Sequence, residues 1–181
     1  EHDEVIFCVG GGLGAQKVNQ ALARSAEEIL HKSIRRHIFH ITGKKLYEET
    51  LQEYDKFTSK ENRERVHLID FTTELYKYSA GADLVVTRAG ATNVAEFAVQ
   101  GKACIVVPNP VLTGGQQLHN AKVLRDNGAA FILDEQNLGA LAKTIDELLI
   151  DTLRRTELGQ KLHALASRDA AKLLAELLLG M

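Results

Sequence analysis

The sequence predicts an α/β domain of the Rossmann-like, doubly wound kind: a parallel sheet of about six strands, with a helical tail at the C-terminus. Three observations lead there. Short runs rich in β-branched residues alternate with longer helical stretches, the rhythm of a parallel sheet flanked by helices. Runs such as Leu84-Val85-Val86 and Ile105-Val106-Val107 are continuously apolar rather than alternating, as strands covered on both faces are. Glycine-rich turns stand between strand and helix, most densely at Val9-Gly10-Gly11-Gly12-Leu13-Gly14-Ala15.

In chain order, a strand at 4–10 carries Val5-Ile6-Phe7-Cys8-Val9 and leads through the glycines into a helix at 15–31. A strand at 37–42 and a helix at 44–57 repeat the unit, and the polar stretch 58–63 reads as a solvated loop. Strands at 65–69, 83–87, 103–107 and 129–133 precede helices at 73–79, 92–100, 116–127 and 138–149. From Leu153 to Leu179 no strand signal returns. There Leu158, Leu162, Leu165 and Ala166, then Leu173, Leu174, Leu177 and Leu178, recur at helical spacing. Ser167-Arg168-Asp169 is a point at which that stretch could break into two helices. The expected organisation is an α/β domain over 1–152 and a helical tail over 153–181, which either packs on its own sheet or reaches toward a partner domain.

At 181 residues the chain has the length of one domain. Hydrophobic residues at 45% and charged residues at 25% are the balance of a soluble globular protein. A formal charge of −2 argues against a broad nucleic-acid surface, which needs a basic excess. Cys8 and Cys104 lie inside apolar runs and form no metal-spaced pair, so they read as buried thiols of a cytosolic protein. No apolar run approaches the ~20 residues of a spanning helix. Contact with a membrane would therefore be peripheral. The first residues are acidic and polar, unlike a secretory signal. Opening on Glu1 and entering a strand almost at once reads as a piece of a longer protein.

The glycine loop after the first strand is where an α/β fold binds an anion: glycines admit close approach of backbone, and the following helix start offers free N–H groups. A tight turn without a ligand is the other reading. The loop is not a Walker A motif, since Gln16-Lys17-Val18 lacks the Gly-Lys-Ser/Thr ending. Nor does the second strand end on the acid that holds a dinucleotide ribose; it ends Ile41-Thr42-Gly43-Lys44-Lys45.

The stretch from Asp83 to Glu96 opens a second helix start on the same sheet edge, at Arg88-Ala89-Gly90-Ala91-Thr92-Asn93. Thr92 is positioned to cap that helix. Glu96, about one turn inside, can accept hydrogen bonds from vicinal ribose hydroxyls, or else merely complements the helix dipole. After the fifth strand, Pro108-Asn109-Pro110 stiffens the exit and Gly114-Gly115 turns the chain into a helix. Its first turns carry Gln116, Gln117 and Asn120, neutral amides whose paired donors and acceptors suit sugar hydroxyls as well as a plain polar helix start. His119 reads as a surface or packing histidine.

Taken together, these segments resemble the C-terminal, donor-binding domain of the MurG-type UDP-N-acetylglucosamine transferases, which have the GT-B fold. The shared pattern is Gly10-Gly11-Gly12-Leu13-Gly14-Ala15 with Asn19, then Asp83 to Glu96 and Pro108-x-Pro110. Gln117-x-x-Asn120-Ala121 and Gly128-Ala129-Ala130 complete it. Order and spacing agree over about residues 5–150. The resemblance implies transfer of GlcNAc from UDP-GlcNAc to undecaprenyl-pyrophosphoryl-muramyl-pentapeptide, lipid I to lipid II, in peptidoglycan synthesis.

The resemblance also implies site roles. Glu96 would hold the ribose, and Ala91, Thr92 and Asn93 would cap the diphosphate near the Gly10, Gly11, Gly12 and Gly14 loop, with Asn19, Arg88 and Gly90 also among the substrate-binding residues. Gln116, Gln117 and Asn120 would lie at the sugar, with Phe71 and Thr72 beside the uracil. It implies no cofactor, no metal and no catalytic side chain in this half. The lipid-linked acceptor would enter through an N-terminal domain or a partner chain, at the inner face of the cell membrane. One departure is Gly12, where the family has a serine, which removes a hydroxyl donor but leaves the backbone cradle. The competing readings are the free-standing catalytic subunit of the dolichol-linked GlcNAc transferase and a non-catalytic nucleotide-binding module.

Overall fold

The computed structural model describes residues 2–11, 15–111, 113–166 and 170–180, with the backbone alone at 113, 170, 171, 173 and 174. Six strands form one sheet: β1 (Glu4–Val9), β2 (Arg36–Ile41), β3 (Val66–Ile69), β4 (Leu84–Arg88), β5 (Cys104–Val107) and β6 (Phe131–Ile132). All pairs are parallel and the order is β3-β2-β1-β4-β5-β6, the expected doubly wound Rossmann-like arrangement. Strand residues divide by parity between two cores. Ile6, Cys8, Leu84, Val86, Ile105 and Val107 pack with α1 (Gln16–His31), α2 (Tyr47–Phe57) and α7 (Leu141–Ile150). Phe7, Val9, Val85, Cys104 and Val106 pack with α4 (Leu75–Ala80), α5 (Ala91–Gln100) and α6 (Gln116–Asp126). Burial on both faces explains why these strands read as unbroken apolar runs.

Three local expectations are corrected. The stretch 58–63 is not a solvated loop: it holds the single turn α3 (Lys60–Arg63), with Asn62 buried. The Glu27 carboxylate on α1 accepts from the Ser59 N–H at 2.7 Å and from Asn62 Nδ2 at 3.0 Å, which fastens the turn to the body. The sixth strand is two residues long, because Ala129 still serves the end of α6. Gly128 there takes φ 60°, and the Ala129 N–H donates to Leu124 O at 2.8 Å. Helix α5 starts at Ala91 with Gly90 as its cap residue, so Thr92 lies inside the first turn and caps nothing.

The tail folds back. Helix α8 (Thr152–Ala164) is capped by the Asp151 carboxylate, which accepts from the Arg154 N–H at 2.9 Å. It contributes Leu158 to one core and Leu162 to the other. Its crossing with α5 is close: a Cβ on Gly159 would stand 2.2 Å from Gly101 O. Helix α9 (Ala170–Leu179) instead leaves Leu177, Leu178 and Leu179 exposed. The break expected at Ser167-Arg168-Asp169 lies outside the described residues. Among the described residues no helix is long and apolar enough to cross a membrane.

Candidate functional site

Because β1, β4 and β5 are adjacent and parallel, the turns that follow them share one carboxyl edge. The order reverses between β1 and β4, which opens the crevice where such sheets take ligands. Helices α1, α5 and α6 start from these three turns, and none of the three carries a side-chain cap or an acidic residue in its first turn. In α5 the first intrahelical bond is Val94 N–H to Gly90 O at 3.0 Å, so the N–H groups of Ala91, Thr92 and Asn93 precede the ladder. Such uncapped starts favour an anion. Gly11 takes φ 89°, and neither Gly11 nor Gly90 has an atom within 4 Å of where a Cβ would stand, so backbone is bare there. Gly12 and Gly14 lie outside the described residues.

Glu96 is half-buried on α5, and burial raises its carboxyl above the usual range. Among the described residues, no hydrogen bond or ion pair reaches it. As the sixth residue of α5 it stands beyond the first turn, where dipole complementation fades. An ionised carboxylate there is poised to accept from hydroxyls brought by a ligand.

Phe71 and Thr72 follow β3 on the same edge. Phe71 is 51% exposed, with Lys44 Nζ 5.2 Å from its ring centre, and Thr72 Oγ1 accepts from the Glu74 N–H at 3.0 Å. The amides at α6 divide. Gln116 projects into solvent. Gln117 Oε1 accepts from the Asn109 N–H at 2.9 Å, and Asn120 Nδ2 donates to Ala89 O at 2.9 Å. Both therefore brace loops, which leaves the Gln117 NH₂ and Asn120 Oδ1 free of recorded bonds among the described residues. His119 is exposed on the rim of an apolar groove of about 390 Å³ between α5, α6 and α8.

Burial sets two of the expected residues behind the turns. Asn19 is 1% exposed: its Nδ2 donates to Thr42 O at 3.0 Å and its Oδ1 lies 3.1 Å from His40 Nε2. Arg88 is 7% exposed, with Nη2 2.6 Å from Glu135 Oε2 and Nη1 donating to Val107 O at 3.4 Å and Pro108 O at 3.3 Å. Neither presents its side chain to open solvent; both brace the turns from behind. Glu135, which sequence reasoning missed, also accepts from Lys17 Nζ at 2.6 Å. Burial would raise its carboxyl, but the bonds from Lys17 and Arg88 hold it below the usual range. The available signal was position: an acid just after the sixth strand falls on the same carboxyl edge.

The geometry offers bare backbone, free helix starts and one unpaired carboxylate, which suits a polar, anionic ligand carrying hydroxyls. Among the described residues no three His, Cys, Asp or Glu side chains gather to hold a metal ion.

Residues 5–174 match the glycosyltransferase family 28 C-terminal domain. The chain is 34% identical over 173 residues to the UDP-N-acetylglucosamine--N-acetylmuramyl-(pentapeptide) pyrophosphoryl-undecaprenol N-acetylglucosamine transferase of Geobacter metallireducens, covering 94% of this chain and 46% of that protein. Against the enzyme of that name numbered 1 in Bacillus cereus, identity is 33% over 175 residues, covering 96% of this chain and 47% of that protein. The chain thus spans about half the length of the curated relatives it matches. The crystal structure of MurG from Acinetobacter baumannii superposes with a TM-score of 0.81 at 28% identity, over 100% of this chain and 51% of that one. The C-terminal CMP-Kdo binding domain of WaaA from the same organism shares the fold alone, with a TM-score of 0.67 at 15% identity over 91% of this chain and 89% of that one. On these matches and on the sheet order, the chain belongs to the glycosyltransferase family 28 C-terminal domain, one half of a GT-B fold.

Proposed function

We propose that the chain is the donor-binding half of a transferase that moves GlcNAc from UDP-GlcNAc to an undecaprenyl-pyrophosphoryl-muramyl-pentapeptide acceptor. The observation that carries this reading is the pairing of uncapped helix starts with the unpaired Glu96 on one edge. A nucleoside diphosphate sugar brings both complements: phosphates for the N–H groups and vicinal hydroxyls for the carboxylate. The names of the relatives supply the specific donor and acceptor. In this reading Glu96 takes the ribose, Gly10, Gly11, Gly90, Ala91, Thr92 and Asn93 surround the diphosphate, Gln116 and Gln117 face the sugar, and Phe71-Thr72 flank the uracil.

Chemically, this half stabilises the departing diphosphate. Preorganised N–H dipoles do that without reorganising at the moment of transfer. The base that activates the acceptor hydroxyl and the acceptor site belong to another Rossmann-like half, on the same polypeptide or a partner. The assembled enzyme works peripherally at the inner membrane face. Residues 1–152 form the donor unit with α8 packed on it, and α9 leads toward the other half, with its exposed leucines as the contact. Thermal shift and calorimetry with UDP-GlcNAc, UDP-glucose, UDP-galactose and NADH test the assignment. UDP-GlcNAc should stabilise most, and no shift at millimolar UDP-GlcNAc would sink it.

A further inference from the structure

Beyond the residues expected to touch the donor, the carboxyl edge contains one side chain that joins three of its segments. Glu135 lies in the turn after β6, its side chain 7% exposed. Its Oε1 accepts from Lys17 in the first turn of α1, three residues past the glycine loop, at 2.6 Å. Its Oε2 accepts from Arg88 Nη2, also at 2.6 Å. Arg88 ends β4 and enters the Ala89-Gly90 turn at the head of α5. Its other nitrogen holds Val107 O and Pro108 O, where the proline loop toward Gln116 begins. One carboxylate therefore links, directly or through one guanidinium, the starts of α1 and α5 and the exit of β5.

We infer that Glu135 is a positioning residue for the donor site: it sets the spacing between the glycine loop, the α5 start and the proline loop. The inference rests on the proposed UDP-GlcNAc reading. Its physical basis is that diphosphate recognition by bare N–H groups tolerates little displacement, since those groups cannot reach as side chains do. A buried carboxylate with two charged donors in short bonds is a stiffer spacer than the solvated loops around it. The links also separate parts of the ligand. They brace the segments facing the diphosphate and sugar, whereas Phe71-Thr72, for the base, lies outside them and Glu96, for the ribose, stands beyond the first turn of the braced helix.

That separation gives the test. UDP-GlcNAc and UMP affinities are measured by calorimetry on the 181-residue chain and on Glu135→Gln and Lys17→Met, with circular dichroism reporting the folded fraction. Glu135→Gln should weaken UDP-GlcNAc about tenfold while UMP changes much less. Lys17→Met, which removes only the arm whose side chain is 66% exposed, should show the same bias to a smaller degree and keeps the test open if Glu135→Gln fails to fold. A purely structural role would lower both affinities together with the folded fraction and leave their ratio at the wild-type value. That result overturns the inference. So does tighter UDP-GlcNAc binding by Glu135→Gln, which would mean that Glu135 only sequesters Lys17 from the phosphates. A wild-type chain that binds neither nucleotide overturns the donor reading as well.

Discussion

Replacing Glu96 with glutamine should separate ligand affinity from stability, in opposite directions. Without ligand, the Glu96 carboxyl is half-buried, unpartnered among the described residues and raised by burial. A carboxyl whose folded pKa exceeds its unfolded value binds its proton more tightly in the native state. Stability therefore falls as pH rises through that window, and at neutral pH the ionised group is a net cost. Glu96→Gln removes the cost, so the unliganded variant should melt no lower than wild type. Donor binding should suffer instead. A charge-assisted hydrogen bond contributes ~1.5–3 kcal/mol, and half-exposure points to the lower end, so UDP-GlcNAc affinity should fall about tenfold. The loss should be much smaller for 2′-deoxy-UDP, which lacks one of the two hydroxyls. Wild-type affinity should also weaken as pH is lowered through the raised Glu96 pKa, and the variant should lack that dependence. Calorimetry with both nucleotides across pH measures all of this. Unchanged affinity together with a lower melting temperature in Glu96→Gln would refute the reasoning, because it is the signature of a carboxylate serving only its helix.

Other outcomes follow from the same structure. UDP-GlcNAc at 100 times its dissociation constant should stabilise the chain by about 2.7 kcal/mol, read as a rise in melting temperature. Burial holds His40 down to about 3, so the unfolded chain takes up the proton first. Stability should decline as pH falls below ~6.5, by up to ~1.4 kcal/mol per unit, a slope that denaturant titrations should find missing from a His40→Gln variant. Gly159→Ala drives a Cβ to 2.2 Å from Gly101 O and should destabilise by about 1–3 kcal/mol or more in urea melts. The purified chain should transfer no GlcNAc to a lipid-linked acceptor even when saturated with donor; measurable turnover would place the acceptor site on a face read here as structural.

Most of the fold was readable because its signals are local and repeated. The unbroken Leu84-Val85-Val86 matches a strand covered on both faces, and the observed sheet has that burial. The stretch 58–63 was misread because its order comes from elsewhere: nothing in Ser59 or Asn62 announces that Glu27, more than 30 positions away, will bond both. The site divides the same way. Glycines at a strand exit and Glu96 inside the following helix declare themselves by spacing. Whether a polar side chain faces a ligand or the interior does not. Asn19 shows this best: it belongs to the shared glycine-loop pattern, yet its side chain is buried. Its partner is His40, whose Nε2–H donates to Asn19 Oδ1 while Nδ1 accepts from the Tyr54 hydroxyl at 2.9 Å. That network closes only when β2 and α2 lie beside α1.

The glycine crossing of α5 and α8 bears on how the domain can be shortened. An expression boundary drawn where the last strand-helix unit ends, near residue 151, would remove Leu158 and Leu162 from both cores at once. It would also uncover the flank of α5 against which Gly159 is pressed, and α5 carries Glu96 and one of the bare helix starts. A chain stopped there should be insoluble or should lose nucleotide along with its solubility. One stopped just after residue 166 keeps Leu158 and Leu162 in the two cores and sheds the exposed Leu177, Leu178 and Leu179 of α9, and it is the smaller piece suited to crystallisation with donor.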